Sequence, residues 1–212
     1  MFSRKEKIAL SVLFFLLISM SLVLAISLFT NPAIHIVNNA ANSNISIDDM
    51  IDGNEDWSYR QSMNKVPNVI LRSFEANEWT FKIDRNYMDE LGKADGLLWG
   101  GATNYAAKEI VVGTSDSIVH EFGHYLDWAL GFPKCHKELY ANEAKSASFI
   151  LGTYATTNER EYFAEYFEYW IEHENNKTAM EELRTATPET YKYFQKLSDD
   201  NWGLGGLRWF FN

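Results

Sequence analysis

One cysteine, Cys135, occurs in 212 residues, so no intramolecular disulfide framework can brace the chain. That scarcity does not argue against export, because many bacterial secreted proteins lack disulfides. Basic residues are also few. Lysine and arginine number 19 against 29 acidic residues, for a formal net charge of -10, and they form no cluster beyond the N-terminus. A nucleic-acid binder usually carries a basic patch, so the chain is a poor candidate for that class. There is no internal repeat and no low-complexity tract. The length suits one domain with appendages and is enough to bury a substantial core.

Long apolar runs are absent except at the N-terminus. There Arg4, Lys5 and Lys7 precede an apolar run over residues 8–29. This is a positive segment followed by a hydrophobic one, long enough to cross a bilayer of about 30 Å. Val23 and Ala25 have the small-residue spacing that permits cleavage after Ala25. Uncut, the run places the N-terminus in the cytoplasm and residues from 30 onward outside. Signal peptide and membrane anchor both remain open, and both put the rest of the chain outside the cytoplasm. No lipobox cysteine lies near the end of the run.

Residues 31–56 are rich in Asn, Ser, Ile and Asp and read as a linker or a poorly packed arm. The domain proper is expected to start near Trp57. Pro67 suits a first helical residue, with Val69, Ile70, Leu71 and Phe74 as an apolar face and Asn77 closing the helix. Residues 79–83 (WTFKI) alternate as a half-buried strand does. Residues 87–91 predict a short helical turn ending at Gly92. Residues 97–99 are a strand candidate broken by Gly100 and Gly101, and residues 109–112 (EIVV) are a further strand ended by Gly113.

The central stretch is residues 117–131, SIVHEFGHYLDWALG. Asp116 or Thr114 can cap a helix here, and Gly131 fits its end. Ile118, Phe122, Leu126 and Ala129 recur at helical spacing as the buried stripe. His120 and His124 share another face, with Asp127 nearby. Residues four apart lie one above the other on a helix, so both imidazoles can reach one metal ion. Zn²⁺ takes nitrogen ligands at about 2 Å, and Glu121 is placed to take a proton from water.

Two histidines alone hold zinc weakly, so a third ligand is expected. Residues 153–170 read TYATTNEREYFAEYFEYW. Asn158 can cap a helix running to about His173, with Phe163, Tyr166, Phe167 and Trp170 as its apolar face. Glu161, Glu165, Glu168 and Glu172 fall at i, i+4, i+7 and i+11. Such a stripe is ordinarily a solvated face, and Asn158 with Glu161 fits a capping box. Beside a His-Glu-x-x-His motif, a glutamate one helix later completes a His₂Glu zinc site. Glu165, one turn after Glu161, can accept the second N–H of a ligating histidine and fix its orientation. Cys135 beside His136 is read as a loop or surface position.

HEFGHYLDW paired with TYATTNEREYFAEYF resembles the catalytic domain of anthrax lethal factor and its relatives, which include secreted bacterial Pro-Pro endopeptidases. The resemblance runs over residues 66–197 and includes TPETYKYFQKL at 187–197, similar to the closing helix of that family. It implies an α+β fold, a helix-rich zincin-like metallopeptidase domain with a small mixed sheet bordering the cleft. It implies that His120, His124 and Glu161 bind one catalytic zinc ion and that Glu121 is the general base. It implies that Tyr154 lies close to the metal and assists the oxyanion or the leaving group, with Glu165 supporting a ligating histidine. It also implies that the strand before the metal helix, residues 108–112, pairs with an extended peptide or protein substrate.

The expected organisation is an N-terminal segment (1–29), a linker (30–56), a lethal factor-like metallopeptidase domain (57–198) and an aromatic tail (199–212). Residues 92–104 and a helix over 137–151 are expected to line the cleft. The tail holds Trp202, Trp209, Phe210 and Phe211, which either pack back on the domain or meet a membrane surface or partner. The function expected is an exported zinc endopeptidase. Two alternatives stay open: a non-catalytic binding domain on the same fold, and a structural zinc with four protein ligands.

Overall fold

A computed structural model describes residues 47–51, 57–96 and 98–204. The N-terminal apolar run and the end of the aromatic tail lie outside the described residues. Among those described, no helix is long and apolar enough to cross a membrane. The fold is α+β and rich in helix. In chain order the elements are α1 (Ile47–Met50), α2 (Trp57–Met63), α3 (Asn68–Ala76), β1 (Thr80–Ile83), α4 (Arg85–Asp95), β2 (Gly101–Asn104) and β3 (Glu109–Val112). There follow α5 (Ser117–Ala129), α6 (Cys135–Leu151), a 3₁₀ turn (Thr153–Thr156), α7 (Glu159–His173), α8 (Lys177–Ala186), α9 (Pro188–Asp199) and a second 3₁₀ turn (Asn201–Gly203).

The three strands form one mixed sheet in the order β1-β3-β2. β1 runs parallel to β3, with Thr80 opposite Glu109 and Ile83 opposite Val112. β2 runs antiparallel to β3, with Gly101 opposite Val112 and Asn104 opposite Glu109. Ile110, Val111 and Val112 are all buried. A continuous β-branched run suits a central strand covered on both faces, which is where EIVV lies.

This order changes which strand is free. The resemblance assigned substrate pairing to the strand before the metal helix, but β3 is bonded on both sides. The strand expected over 97–99 is also displaced: β2 begins at Gly101, and Leu98 stands fully exposed in the preceding loop. Gly100 and Gly101 admit the strand rather than break it. A Cβ on Gly100 would sit 2.1 Å from Ser117 Oγ, and one on Gly101 would sit 2.7 Å from Glu121 Oε1. Only glycine lets this strand approach α5 so closely. The turn expected over 87–91 is the middle of a longer helix. Asp84 accepts from the Tyr87 N–H at 2.9 Å to start it, and left-handed Gly96 (φ 76°) ends it, with Gly92 tolerated inside.

Packing reaches into the stretch read as linker. Ile51 is buried in the core, and its carbonyl accepts from Arg60 Nη2 at 2.8 Å. At the other end Trp202 and Leu204 are buried, with the Trp202 ring 5.0 Å from that of Phe167. Trp209, Phe210 and Phe211 lie outside the described residues.

The core sits between α5 and α7, with α3 and the sheet on one side and α6, α8 and α9 on the other. Gly123 makes the α5–α7 contact close. A Cβ there would fall 2.8 Å from the Ala164 Cα and 3.1 Å from its carbonyl oxygen. On the far side Phe163, Tyr166 and Trp170 stack around Phe194 of α9. The first turn of α9 is held by Glu143 of α6, which accepts from the backbone N–H groups of Glu189 (3.0 Å) and Thr190 (2.8 Å) and from the Thr190 hydroxyl (2.6 Å). A carboxylate there satisfies donors that a helix start leaves unpaired.

Cys135 and His136 are not in a loop. They open α6, and His136 is only 4% exposed. Its Nδ1 is 2.8 Å from Asp127 Oδ1 of α5, and its Nε2 is 2.8 Å from the Tyr193 hydroxyl of α9. Asp127, expected near the two motif histidines, is turned into this buried network instead.

Candidate metal centre

His120 and His124 lie one turn apart on α5, with ring centroids separated by 4.8 Å. The face opposite them presents Glu161 from the start of α7. Asn158 caps that helix, its side-chain oxygen accepting from the N–H groups of Arg160 (2.9 Å) and Glu161 (3.1 Å). The cap fixes the first turn, and the tight Gly123–Ala164 approach fixes its distance from α5. Glu161 Oε2 is then 3.2 Å from His120 Nε2 and 3.2 Å from His124 Nε2. Two imidazole nitrogens and one carboxylate oxygen, all within 4.8 Å of one another, are a donor set that suits zinc.

Electrostatics ties these groups together in the metal-free state. Burial pushes the Glu161 carboxyl up, but the facing His120 and His124 outweigh it and bring it down to about 2. Burial opposes the charge on His120, yet Glu161, Glu165 and Glu168 raise it well above the usual imidazole value.

The outer nitrogens of the two rings meet different partners. His120 Nδ1 is 3.2 Å from Glu165 Oε1 and 3.8 Å from Glu168 Oε2. His124 Nδ1 is 3.3 Å from the Tyr105 hydroxyl. The Tyr105 ring lies edge-on to Phe132 at 5.3 Å, and the Arg160 guanidinium covers both rings at 5.0 and 4.3 Å. Of the glutamate stripe, three members thus face His120. The fourth, Glu172, pairs with Lys65 at 2.8 Å. Tyr105 and Glu168 extend the set of residues read from the sequence. Glu168 was visible as part of the stripe, whereas nothing local singled out Tyr105.

Glu121 faces the other way, toward the sheet. It is 4% exposed, and its Oε2 accepts from Thr103 Oγ1 at 2.5 Å. Burial raises its pKa, against the pull of His124, His120 and the Thr103 hydroxyl. Tyr154 lies in the 3₁₀ turn between α6 and α7, held by Tyr140 Oη donating to the Thr156 carbonyl at 2.7 Å. Its ring is 6.0 Å from that of His120 and half exposed. Burial and the nearby Glu161 push its hydroxyl pKa up, so it stays protonated at neutral pH.

His120, Glu121, Tyr154, Glu165 and Glu168 line an open cleft of about 490 Å³, together with Leu98 and Trp99. Residues 98–101 line it, but the helix expected over 137–151 does not: α6 packs on α7 and the 3₁₀ turn instead. Residues 103–197 match the family model described as anthrax toxin lethal factor, N- and C-terminal domain. Over those residues the chain is lethal factor-like. The match starts within β2 and ends within α9, so it contains Glu121, Tyr154 and every side chain that faces the two histidines. No curated protein matches the chain. β1 and the helices before it precede the matched residues.

Proposed function

We propose that the lethal factor-like domain is a zinc-dependent endopeptidase that cleaves an extended peptide or protein. The observation that carries this reading is the approach of His120 Nε2 and His124 Nε2 to one oxygen of Glu161, with His120 and Glu121 lining one cleft. His120, His124 and Glu161 would hold the ion. Zinc supplies Lewis-acid polarisation at such a site and lets water lose a proton near neutral pH. The Glu121 carboxylate receives that proton and delivers it to the leaving amine. The Tyr154 hydroxyl donates a hydrogen bond to the oxygen of the scissile carbonyl as charge develops on it. A donor of that kind is worth roughly a hundredfold in rate. Glu165, 3.2 Å from His120 Nδ1, keeps that ring in place, with the Glu168 carboxylate farther out at 3.8 Å.

Of the two edge strands, β1 and β2, it is β2 that borders the cleft and is available to a substrate. It pairs only with β3 among the described strands, and its first residue lines the cleft. An extended segment adding to that edge would lie across Glu121. An open cleft beside the donor set favours catalysis over a closed structural site, which has no use for a base next to its ligands. Export, as a secreted chain or one anchored to the outer face of the membrane, rests on the apolar run at residues 8–29.

The test is a peptide-library cleavage screen with the zinc-loaded chain, Pro-Pro peptides included, and Glu121→Ala as control. Cleavage that disappears in Glu121→Ala while zinc stays bound is the expected result. No cleavage of any peptide by the loaded chain would count for a binding domain instead.

A further inference from the structure

We propose that Thr103 is a positioning residue that seats the Glu121 carboxylate, and that the edge strand β2 is built to bring it there. The Thr103 hydroxyl donates to Glu121 Oε2 at 2.5 Å and also lies 3.5 Å from the Glu121 carbonyl oxygen. A hydroxyl on an ionised carboxylate at that distance is among the stronger neutral-donor bonds. The bond is well shielded, because Glu121 is almost wholly buried.

The other wall of the seat is Gly101, two residues back on the same strand and therefore on the same face. A Cβ at Gly101 would fall 2.7 Å from Glu121 Oε1, 2.8 Å from its Cγ and 3.0 Å from its Cδ. Backbone on one side and a hydroxyl on the other leave the carboxylate one place to be. Register keeps the pair aligned: Gly101 lies opposite Val112 and Thr103 opposite Ile110 of the central strand. The strand a substrate would pair with is thus the strand that orients the group meant to act on it. This role rests on the peptidase reading for the chemistry of Glu121, but the seat itself is a matter of geometry.

The experiment compares the full chain, purified in detergent, with Thr103→Val, which removes the hydroxyl at similar size, and Thr103→Ser, which keeps it. Three readouts are taken: the Glu121 side-chain position in crystals, zinc affinity by competition with a chelator, and kcat and KM on a cleaved peptide. The expected result is a Glu121 carboxylate displaced or spread over rotamers in Thr103→Val, with zinc affinity within about twofold of the parent. A displacement near 1 Å would lower kcat by about ten- to a hundredfold at nearly constant KM. Thr103→Ser restores both the position and the rate. An unmoved carboxylate in Thr103→Val overturns the proposal. So does a fall in zinc affinity that parallels the loss of rate, or a Thr103→Ser variant as impaired as Thr103→Val. A parent chain that cleaves nothing would defeat the peptidase reading, and the Glu121 position would still decide the seat.

Discussion

Gly123 of α5 rests against the backbone of Ala164 of α7, so close that a Cβ would fall 2.8 Å from the Ala164 Cα. Three residues before each lie the side chains that meet, His120 and Glu161, 3.2 Å apart. Residues three apart share a helix face. The glycine inside HEFGH therefore sets the distance across the candidate metal centre as well as the packing of two helices.

Gly123→Ala is expected to push α7 away from α5, because the atoms it meets are backbone and cannot step aside. The cost should be about 1–3 kcal/mol of stability, as for other overpacked cores. Zinc affinity should fall with it. Thermal unfolding of the metal-free chain and zinc competition check the two effects. Parental values in both would show that the helices can part without consequence.

Metal-free protein should lose stability as pH rises, while the stabilisation contributed by zinc grows. His120 is raised well above 6.5, since Glu161, Glu165 and Glu168 outweigh burial. Below 6.5 the ring is charged in folded and unfolded chains alike, and its stabilisation is fully present. It is lost as pH rises through the folded value. Zinc needs the neutral ring, so its stabilisation grows over the same range. Melting curves from about pH 6 to about pH 9 should show the metal-free Tm falling and the difference between loaded and metal-free Tm widening. A metal-free Tm that rises over that range would remove the carboxylate clamp on His120.

Tyr105→Phe should weaken zinc binding by about tenfold, the usual effect of losing a partner of a ligating histidine. The hydroxyl faces His124 Nδ1, and the ring stays fixed between Phe132 and Arg160, so the fold should not suffer. Chelator competition measures the affinity, and circular dichroism checks the fold. Unchanged affinity would leave Tyr105 as packing alone.

Asp127→Ala should act on stability and not on metal. It would leave buried His136 with only the Tyr193 hydroxyl as partner. The cost should be about 3 kcal/mol, because a buried polar group loses its charged acceptor. Urea unfolding of the metal-free chain measures it, with zinc stoichiometry as the control. Loss of zinc at unchanged stability would place Asp127 in the site after all.

Much of the metal centre was legible because its determinants are local. His120 and His124 are linked by one helical turn. The stripe beginning at Glu161 is readable from the cap at Asn158 and the apolar face opposite. The seat of Glu121 was not legible. GATN has neither alternation nor apolar weight, so nothing marked it as a strand, and Gly100-Gly101 read as a break. The two glycines are there for what lies across from them, and that is a fact about α5. Leu98 misled in the opposite sense: an apolar residue taken for a strand is fully exposed beside the cleft. His136 was read as surface because its partners come from two other helices, 9 and 57 residues away.

By itself the sequence determined the two helices that carry the candidate ligands, the Asn158 cap of the second, their apolar faces and the donor types they carry. Each follows from periodicity and from hydrogen bonds between residues a few positions apart. The side-chain cap expected from Asp116 or Thr114 on the first helix is not made. Tertiary structure decided the strand order, which leaves β2 at the edge and buries β3. It also decided the partners of each imidazole and the place of Glu121 between Gly101 and Thr103. Those outcomes depend on which surfaces meet, and a close approach between distant segments leaves no period in the chain that makes it.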